Sequence, residues 1–361
     1  MDFRLKYEPI TASVQGNVTW HSPSNIALVK YWGKQPVQIP ANPSISFTLD
    51  TCATTTKLSY NKRKGTGQQF EFDLLFDGRP KEEFKPKIRK FFERIEVYVP
   101  FIKDFHFTIE TSNSFPHSSG IASSASGMSA LALCLMSLEK KLFPETSETY
   151  FYTKASFLAR LGSGSASRSV QGGLVTWGVH EMLPGSSNEY ASKYPFKVHP
   201  LFMSYNDTIL LVDKGEKKVS STLGHDLMHE HPYATARFEQ AEENLSKLKT
   251  VLETGDLNGF MTIVESEALS LHAMMMTSMP YFILMKPATM EIIEKIWAFR
   301  DKTGLPVCFT LDAGANVHVL YPEHEYVKIY EFIKNELVAY CQKGHYICDR
   351  VGDGAKLLNE K

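Results

Sequence analysis

The chain has 361 residues and a formal net charge of −1, with 43% hydrophobic and 22% charged residues. This composition is ordinary for a globular protein of one large or two medium domains. A net charge near zero provides no general basic field for nucleic acid, so basic residues at a site would have to act locally. The 5 cysteines are scattered and never spaced C-x-x-C. This pattern argues against structural disulfides and a zinc site, and it favours a reducing compartment.

The first residues carry no apolar core of the kind that a secretory signal needs. No run of the chain approaches the roughly 18 to 20 apolar residues that span a bilayer. We therefore expect a soluble, cytoplasmic protein that binds neither a membrane nor nucleic acid.

The first third of the chain is predicted to be rich in β-structure. Residues 14–20 alternate like a strand, and residues 26–29 form a short apolar run. Lys30 and Lys34 then flank Tyr31-Trp32-Gly33. A lysine at the end of an apolar strand must reach water or an anion, so this pair indicates an anion site. The alternative is that both lysines extend to the surface.

Further strands are predicted before the middle of the chain, together with one amphipathic helix. Residues 39–50 are expected to form a proline-broken turn that enters a strand, and 54–60 continue its β character. Further strands are expected at 70–76 and 105–110, and the helix at 85–97. Asp77-Gly78 is predicted to form a tight turn that is followed by Arg79.

Residues 115–128, FPHSSGIASSASGM, are small and polar and lead directly into an apolar helical run at 129–136. A loop of this kind points several N–H groups at one spot, with the positive end of the helix dipole behind them. We interpret it as a phosphate-binding loop. It is not a Walker A loop, because no Gly-Lys-Ser/Thr follows the glycine. The alternative is a flexible serine-rich linker.

A second Gly/Ser loop, residues 162–173, carries Arg168. It follows a helix predicted at 149–161 with Gly162 as its C-cap, and a strand is predicted at 174–177. Arginine among small residues suits bidentate recognition of a carboxylate or a phosphate.

The second half of the chain is predicted to alternate strands with long helices. The strands are expected at 208–212, 307–311, 317–321 and 346–351, and the helices at 233–253, 257–275, 289–303 and 325–338. The methionines at 274–279 are interpreted as core filler. Ser220 to Thr222 are expected to supply hydroxyl groups in a turn.

Asp312 ends a predicted strand and is followed by Ala-Gly-Ala-Asn. A carboxylate in this place is typical of a catalytic base or a charged orienting group. The alternative is an Asx-turn in a hairpin.

Six stretches together resemble the mevalonate diphosphate decarboxylase family of the GHMP kinase superfamily, and they occur in the family's order. They are NIALVKYWGK at 25–34, PSIS at 43–46, SSGIASSASG at 118–127, GSGSASR at 162–168 with Gly172-Gly173, STLG at 221–224 and FTLDAGAN at 309–316. The resemblance implies a two-lobed α+β GHMP kinase fold, with a ribosomal-protein-S5-like β-rich lobe at 1–190 that carries the ATP phosphate loop. A ferredoxin-like α+β lobe is expected at 191–361, with a cleft between the lobes. It also implies a homodimer.

The resemblance implies an ATP- and Mg²⁺-dependent enzyme that phosphorylates the 3-hydroxyl of mevalonate 5-diphosphate. Loss of phosphate and CO₂ then gives isopentenyl diphosphate. Asp312, Lys30 and Arg168 would be catalytic. The residues implied for the substrate are Tyr31, Trp32, Gly33, Lys34, Arg79, Ser163, Gly164, Ser165, Arg168, Ser221 and Thr222. Those implied for ATP are Ser118, Ser119, Gly120, Ala122, Ser123, Ser124 and Ser126, and Ser124 is also implied for the metal.

Two stretches depart from the family pattern, although neither departure removes a proposed catalytic group. Residues 35–38 are Gln-Pro-Val-Gln where the family has charged residues, and Ala315 replaces a proline. The first departure leaves a preference for the monophosphate open. A GHMP small-molecule kinase without decarboxylation and a non-catalytic binding protein are further alternatives. The presence of both Lys30 and Asp312 favours decarboxylation.

Overall fold

The computed structural model describes residues 2–9, 13–63, 69–116, 121–215 and 221–361, and for Ser221 and Thr222 it describes the backbone alone. The strands are β1 (Gln15–Val29), β2 (Lys34–Gln35), β3 (Ile39–Pro40), β4 (Ser44–Lys62), β5 (Glu71–Phe76), β6 (Arg79–Pro80), β7 (Phe105–Asn113), β8 (Leu174–Trp177), β9 (Ser192–Lys193), β10 (Asn206–Leu210), β11 (Cys308–Thr310), β12 (Val317–Tyr321), β13 (Tyr346–Arg350) and β14 (Lys356–Glu360). The α-helices are α1 (Lys85–Ile95), α2 (Ser123–Leu142), α3 (Glu148–Gly162), α4 (Ser221–Asp226), α5 (Ala234–Thr254), α6 (Leu257–Thr277), α7 (Pro287–Thr303) and α8 (Tyr326–Phe332).

A large sheet in the order β14-β1-β4-β7-β5-β6, with β8 attached to β4 and β9 attached to β8, forms the first lobe. Strands β1 and β4 are 15 and 19 residues long and pair antiparallel. Their β-branched and aromatic residues alternate with polar ones, which is the pattern that a sheet covered on one face requires. Helices α1, α2 and α3 cover this face through an apolar core that includes Phe92, Phe105 and Leu133, all fully buried.

A second sheet in the order β11-β12-β10-β13 forms the other lobe. Helices α6 and α7 pack on it through Ala268, Ile292 and Ile296, which contact the buried side of the sheet. A further apolar cluster contains Ile26 and Phe47 of the first sheet together with residues of β10 and α5. The two lobes are therefore joined by continuous hydrophobic packing.

The C-terminal strand returns to the first sheet. β14 pairs antiparallel with β1, with Val18 opposite Glu360, and the short β9 at 192–193 also belongs to this sheet. The Asp349 carboxylate accepts hydrogen bonds from the backbone N–H groups of Asp50, Thr51 and Cys52 at 2.6–2.9 Å. The boundary at residue 190 stays a prediction. A division of the chain into two continuous segments would, however, assign β14 to the second lobe, although this strand pairs with the first sheet.

Several local predictions need correction. The separate strands predicted at 14–20 and 26–29 are one strand. The β character expected to continue from 39–50 through 54–60 is confirmed as the single strand β4, which begins at Ser44. Gly162 is the last helical residue, and Ser163 is the C-cap of α3. The turn expected around Ser221 is the start of the short helix α4. The helix expected at 325–338 is α-helical only over Tyr326–Phe332 and then widens into a π-helical turn.

The Met-rich end of α6 is confirmed as core filler in part. Met274 and Met275 are buried in a cluster with Trp32, Met228 and Leu271, whereas Met276 and Met279 are exposed. None of the 5 cysteines forms a disulfide. Within the described residues, no helix is long and apolar enough to span a bilayer.

Candidate active site

The ends of two strands bring an ammonium and a carboxylate together. Lys30 follows directly after β1, and Asp312 lies two residues after β11. The Lys30 Nζ atom donates a hydrogen bond to Asp312 Oδ1 at 3.3 Å. The Lys30 side chain is 1% exposed, whereas that of Asp312 is 26% exposed. The Asp312 carboxylate is therefore partly accessible to solvent, whereas the Lys30 ammonium that pairs with it is enclosed by protein.

Burial disfavours the charge on this lysine. Desolvation lowers the pKa of Lys30, and the nearby carboxylates of Asp312 and Glu267 oppose this effect. Desolvation also lowers the pKa of the Arg168 guanidinium to about 10, and the Asp312 charge again acts in the opposite direction. The site thus gathers two cations and one partly exposed carboxylate in a poorly hydrated place, where a substrate anion would be strongly attracted.

Arg168 is held rigidly in the 3₁₀ turn Gly164–Ser169. Its Nε donates to Asn25 Oδ1 at 3.3 Å, and its Nη1 donates to the hydroxyl of Ser44. The guanidinium carbon also lies 5.8 Å from the centre of the Trp177 ring, within the range of a cation–π contact. Because neighbours on three sides fix the fork, little conformational entropy would be lost when it binds an anion.

The segment from Tyr31 to Lys34 is fixed by a residue that the sequence did not single out. The His225 ring of α4 lies 4.3 Å from the Tyr31 ring and 4.6 Å from the Trp32 ring, measured between centroids. Its Nδ1 accepts a hydrogen bond from the Gly33 N–H at 3.0 Å. Burial lowers the pKa of His225 to about 3, with the charge of Lys34 acting in the same direction. His225 is therefore a neutral acceptor at pH 7.

The backbone conformation at position 33 requires a glycine, and the lysine that follows forms an ion pair. Gly33 has a φ of +98°, which side chains rarely tolerate, and a Cβ atom there would lie 2.9 Å from the Phe238 ring. The Lys34 Nζ atom lies 3.6 Å from Oδ1 of Asp226. Trp32 packs in the apolar cluster under α6, and its contact with substrate stays a prediction.

The second Gly/Ser loop lies directly against Tyr31. A Cβ atom at Gly164 would come within 2.9 Å of the Tyr31 hydroxyl and 2.8 Å of the Trp177 ring, so only glycine fits there. The buried Tyr31 hydroxyl has no hydrogen-bond partner within the described part of the chain. The Ser165 carbonyl accepts from the Asn25 amide at 3.1 Å.

The helix that follows the first loop begins at Ser123, directly after Ala122. The Ser124 hydroxyl lies 3.3 Å from the Ser163 hydroxyl, so the two Gly/Ser loops meet. Ser126 is fully buried, and its hydroxyl bonds to Thr54 at 2.6 Å and to the Ser123 carbonyl at 3.3 Å. Its observed partners are thus protein groups.

Some site predictions lie outside the described residues. They are Ser118, Ser119 and Gly120, and the side chains of Ser221 and Thr222. Over the described ranges, no group of three or more His, Cys, Asp or Glu residues could hold a metal ion. The assignment of Ser124 to the metal stays a prediction.

Arg79 is not brought to this site. It is exposed in the hairpin of β5 and β6 at one edge of the large sheet. The strands β4, β7 and β5 separate this edge from β1, which leads to Lys30.

A cavity that the sequence did not reveal opens beside the start of α2. It has a volume of about 180 Å³. The lining residues are Thr54, Thr56, Leu74, Phe76, Phe84, Lys87, Ile88, Ile109, Thr111, Asn113, Ser123, Ser124, Gly127, Met128 and Leu131. Apolar walls with a few polar groups at one end are typical of a ligand pocket. Residues from β4, β5, β7, α1 and α2 converge here, so local sequence patterns carry no signal for it.

Comparison with known proteins matches both lobes. The diphosphomevalonate decarboxylase-like N-terminal domain matches residues 22–188, and the mevalonate 5-diphosphate decarboxylase C-terminal domain matches residues 208–355. A diphosphomevalonate decarboxylase of Ganoderma lucidum is 30% identical over 332 residues, which are 87% of this chain and 80% of the relative.

Solved structures agree over nearly the whole length. The mevalonate diphosphate decarboxylase of Staphylococcus aureus has a TM-score of 0.80 at 26% identity and covers 96% of this chain and 99% of its own. A complex of MDDEF with MVAPP, AMPPCP and magnesium has a TM-score of 0.80 at 27% identity, with the same coverage. The expected two-lobed α+β GHMP kinase fold is confirmed. The chain belongs to the diphosphomevalonate decarboxylase family.

Proposed function

We propose that this chain decarboxylates mevalonate 5-diphosphate to isopentenyl diphosphate at the expense of ATP, with Asp312, Lys30 and Arg168 as its catalytic residues. The observation that carries this assignment is the partly exposed Asp312 carboxylate, supported by the buried Lys30 ammonium at 3.3 Å. The related complex that contains MVAPP, AMPPCP and magnesium supports the same substrates for this chain.

We assign Asp312 to the tertiary hydroxyl of the substrate. Its carboxylate would orient the 3-hydroxyl and accept its proton as the oxygen bonds to the γ-phosphorus, while the bond from that phosphorus to ADP breaks. The Lys30 charge stabilises negative charge on this carboxylate and on the transferred group. ATP supplies the phosphoryl group, and Mg²⁺ neutralises charge on its phosphates.

We assign Arg168 to the substrate carboxylate. When the C3–O bond breaks, phosphate leaves with the electron pair and positive character develops at C3. The bond between the carboxylate carbon and C2 then breaks, its electrons form the C2–C3 double bond, and CO₂ is released. The Arg168 guanidinium is already hydrogen-bonded to Asn25 and Ser44. It can therefore orient the substrate carboxylate and stay in place when the carboxylate leaves as neutral CO₂.

The substrate diphosphate is assigned to the loop groups on the other side of Arg168. Tyr31 offers a buried hydroxyl without a partner among the described residues. Lys34 offers an ammonium that is paired at 3.6 Å with the half-exposed Asp226. The hydroxyl groups of Ser163 and Ser165 line the adjacent turn.

The nucleotide is assigned to the cavity beside α2. Ser123 and Ser124 stand at the helix N-terminus, where backbone N–H groups and the helix dipole favour phosphate, and both residues line the cavity. The apolar side chains of Leu74, Phe76 and Ile109 offer walls for a flat base. The residues present therefore fit ATP, and Ser123 and Ser124 would hold its phosphates.

A panel of substrates tests this function. We expect kcat/KM for mevalonate 5-diphosphate to exceed that for the 5-monophosphate by at least about 100-fold, because charge-assisted hydrogen bonds contribute about 1.5–3 kcal/mol each. Free mevalonate should be slower still. Equal or higher kcat/KM for the monophosphate would overturn the assignment of Tyr31 and Lys34.

We also propose a homodimer located in the cytoplasm, on the resemblance to the family. Light scattering after size-exclusion chromatography would show twice the mass of 40.8 kDa for a dimer. A mass of one chain at all concentrations would contradict this proposal.

A further inference from the structure

We propose that helix α6 aligns the two catalytic groups, with Glu267 and His272 as positioning residues for Lys30 and Asp312. Lys30 comes from the first sheet and Asp312 from the second, 282 positions apart in the chain. The strands that carry them do not pair with each other. Helix α6 contacts both places, because its side chains form hydrogen bonds with the main chain at Lys30 and at Asp312.

Glu267 fixes the backbone at Lys30. Its Oε2 accepts the Lys30 N–H at 2.8 Å, and Glu267 is fully buried. The carboxylate is held in turn by Arg237, which donates from Nη1 at 3.1 Å and from Nη2, and by the Asn244 amide at 2.7 Å. A buried carboxylate with four donors has one available orientation, so it defines where the end of β1 lies.

His272 fixes the backbone at Asp312. Its Nε2 lies 3.1 Å from the Asp312 carbonyl oxygen, and the side chain is 1% exposed. A carbonyl oxygen can only accept, so Nε2 carries the proton. Burial lowers the pKa of His272 to about 4, so the ring is a neutral donor at pH 7 and adds no charge beside the Lys30 pair.

The arrangement predicts an effect on turnover rather than on substrate affinity. Glu267 and His272 are both buried. Among the described residues, their hydrogen bonds reach the catalytic residues Lys30 and Asp312 but none of the residues proposed to hold the phosphates or the carboxylate of the substrate. A displacement of about 1 Å between catalytic groups can reduce a rate about 100-fold. Loss of either hydrogen bond should therefore lower kcat and leave both KM values nearly unchanged.

A pair of variants at His272 tests the proposal. His272→Met removes the donor and keeps an apolar side chain of similar size, whereas His272→Gln keeps an N–H donor at a similar reach. We expect kcat to fall more than fivefold in His272→Met, with KM for mevalonate 5-diphosphate and for ATP within twofold. His272→Gln should regain most of the lost activity. A smaller loss in His272→Met, or an equal loss in both variants, would overturn the role of His272.

The chain supplies a matched control for Glu267 on the same helix. Glu265 is also buried and is also paired with an arginine, Arg300 at 2.7 Å, and with the Trp297 N–H at 2.9 Å. Its partners do not include Lys30 or Asp312. We expect Glu267→Gln to lower kcat more than fivefold and Glu265→Gln to lower it less than twofold. Equal losses of kcat in the two variants would assign both glutamates to folding alone and would refute the role of Glu267. If His272→Met does not fold, this comparison of the two glutamates still tests the proposal.

This inference rests on the proposed roles of Lys30 and Asp312, but the inference and the proposed function can fail separately. Lys30→Met and Asp312→Asn are measured beside the α6 variants. Full activity in these two would refute the proposed function itself. Inactive Lys30→Met and Asp312→Asn, together with unaffected His272→Met and Glu267→Gln, would refute the inference about α6 alone.

Discussion

The substitution Asp312→Asn separates catalysis from binding most clearly. Asparagine has almost the same shape as aspartate, but it carries no charge and accepts no proton. It leaves the Lys30 ammonium, 1% exposed, without its nearest counterion at 3.3 Å. The variant should therefore change two measurable quantities, the rate of turnover and the free energy of unfolding.

The structure sets the size of both effects. Two unit charges 3.3 Å apart attract by about 5 kcal/mol at an effective dielectric constant of about 20. Desolvation offsets part of this gain, so we expect a loss in stability of about 3 kcal/mol. Loss of the proton acceptor should lower kcat by about 10²- to 10⁴-fold.

Steady-state kinetics, calorimetric titration with mevalonate 5-diphosphate and urea unfolding measure these quantities on the same preparation. We expect the dissociation constant of the substrate to stay within about threefold, because its phosphates and carboxylate are assigned to other residues. Lys30→Met is the matched variant, and it should lose turnover as well. A kcat of Asp312→Asn within threefold of the wild type would refute the role of Asp312. Loss of binding in a folded variant would place it among the substrate ligands instead.

Four other features of the structure lead to predictions of their own. His225→Phe keeps the ring beside Trp32 but removes the acceptor of the Gly33 N–H, so KM for the diphosphate should rise about tenfold, and an unchanged KM would contradict this. A Cβ at Gly127 meets no atom within 4 Å, so Gly127→Ala should leave KM for ATP unchanged, whereas Gly127→Leu should fill the cavity and raise it. Glu139→Gln should lower stability by about 3–5 kcal/mol without changing kcat, because it leaves the fully buried Lys154 unpaired, and loss of kcat in folded protein would contradict this. His225 and His272 stay neutral in the fold down to pH values of about 3 and 4, whereas the unfolded chain binds protons below about pH 6.5. The stabilisation from these two neutral histidines is thus complete above about pH 6.5. The free energy of unfolding should fall as the pH is lowered from about 6.5 to about 4, by up to roughly 1.4 kcal/mol per pH unit for each histidine. A flat profile over this range would contradict the burial of both rings.

Much of the fold could be predicted from sequence because its signals are local. The strand over Leu174–Trp177 and the helices α5, α6 and α7 follow from apolar periodicity and from flanking glycines. The return of Lys356–Glu360 to the first sheet could not be predicted, since strand β14 is short and exposed and its pairing with β1 joins opposite ends of the chain.

The candidate site likewise contains some residues that the sequence indicates and others that only the structure identifies. Lys30 and Arg168 lie in segments whose composition already indicates anion binding, and Asp312 lies at a strand end that indicates a base or an orienting group. The structure brings these three residues together. His225, Glu267 and His272 act through buried hydrogen bonds to residues far along the chain. A buried histidine or glutamate within a helix gives no periodic signal of its own, so only the tertiary structure identifies them.

The most direct test of the central claim measures ADP and CO₂ in one reaction. Purified protein is given ATP, Mg²⁺ and mevalonate 5-diphosphate, with Asp312→Asn as the control. We expect one CO₂ for each ADP, and both products at least about 100-fold more slowly from the control. ADP without CO₂ would show a kinase that lacks decarboxylation, and it would contradict the roles assigned to Arg168 and the Lys30–Asp312 pair.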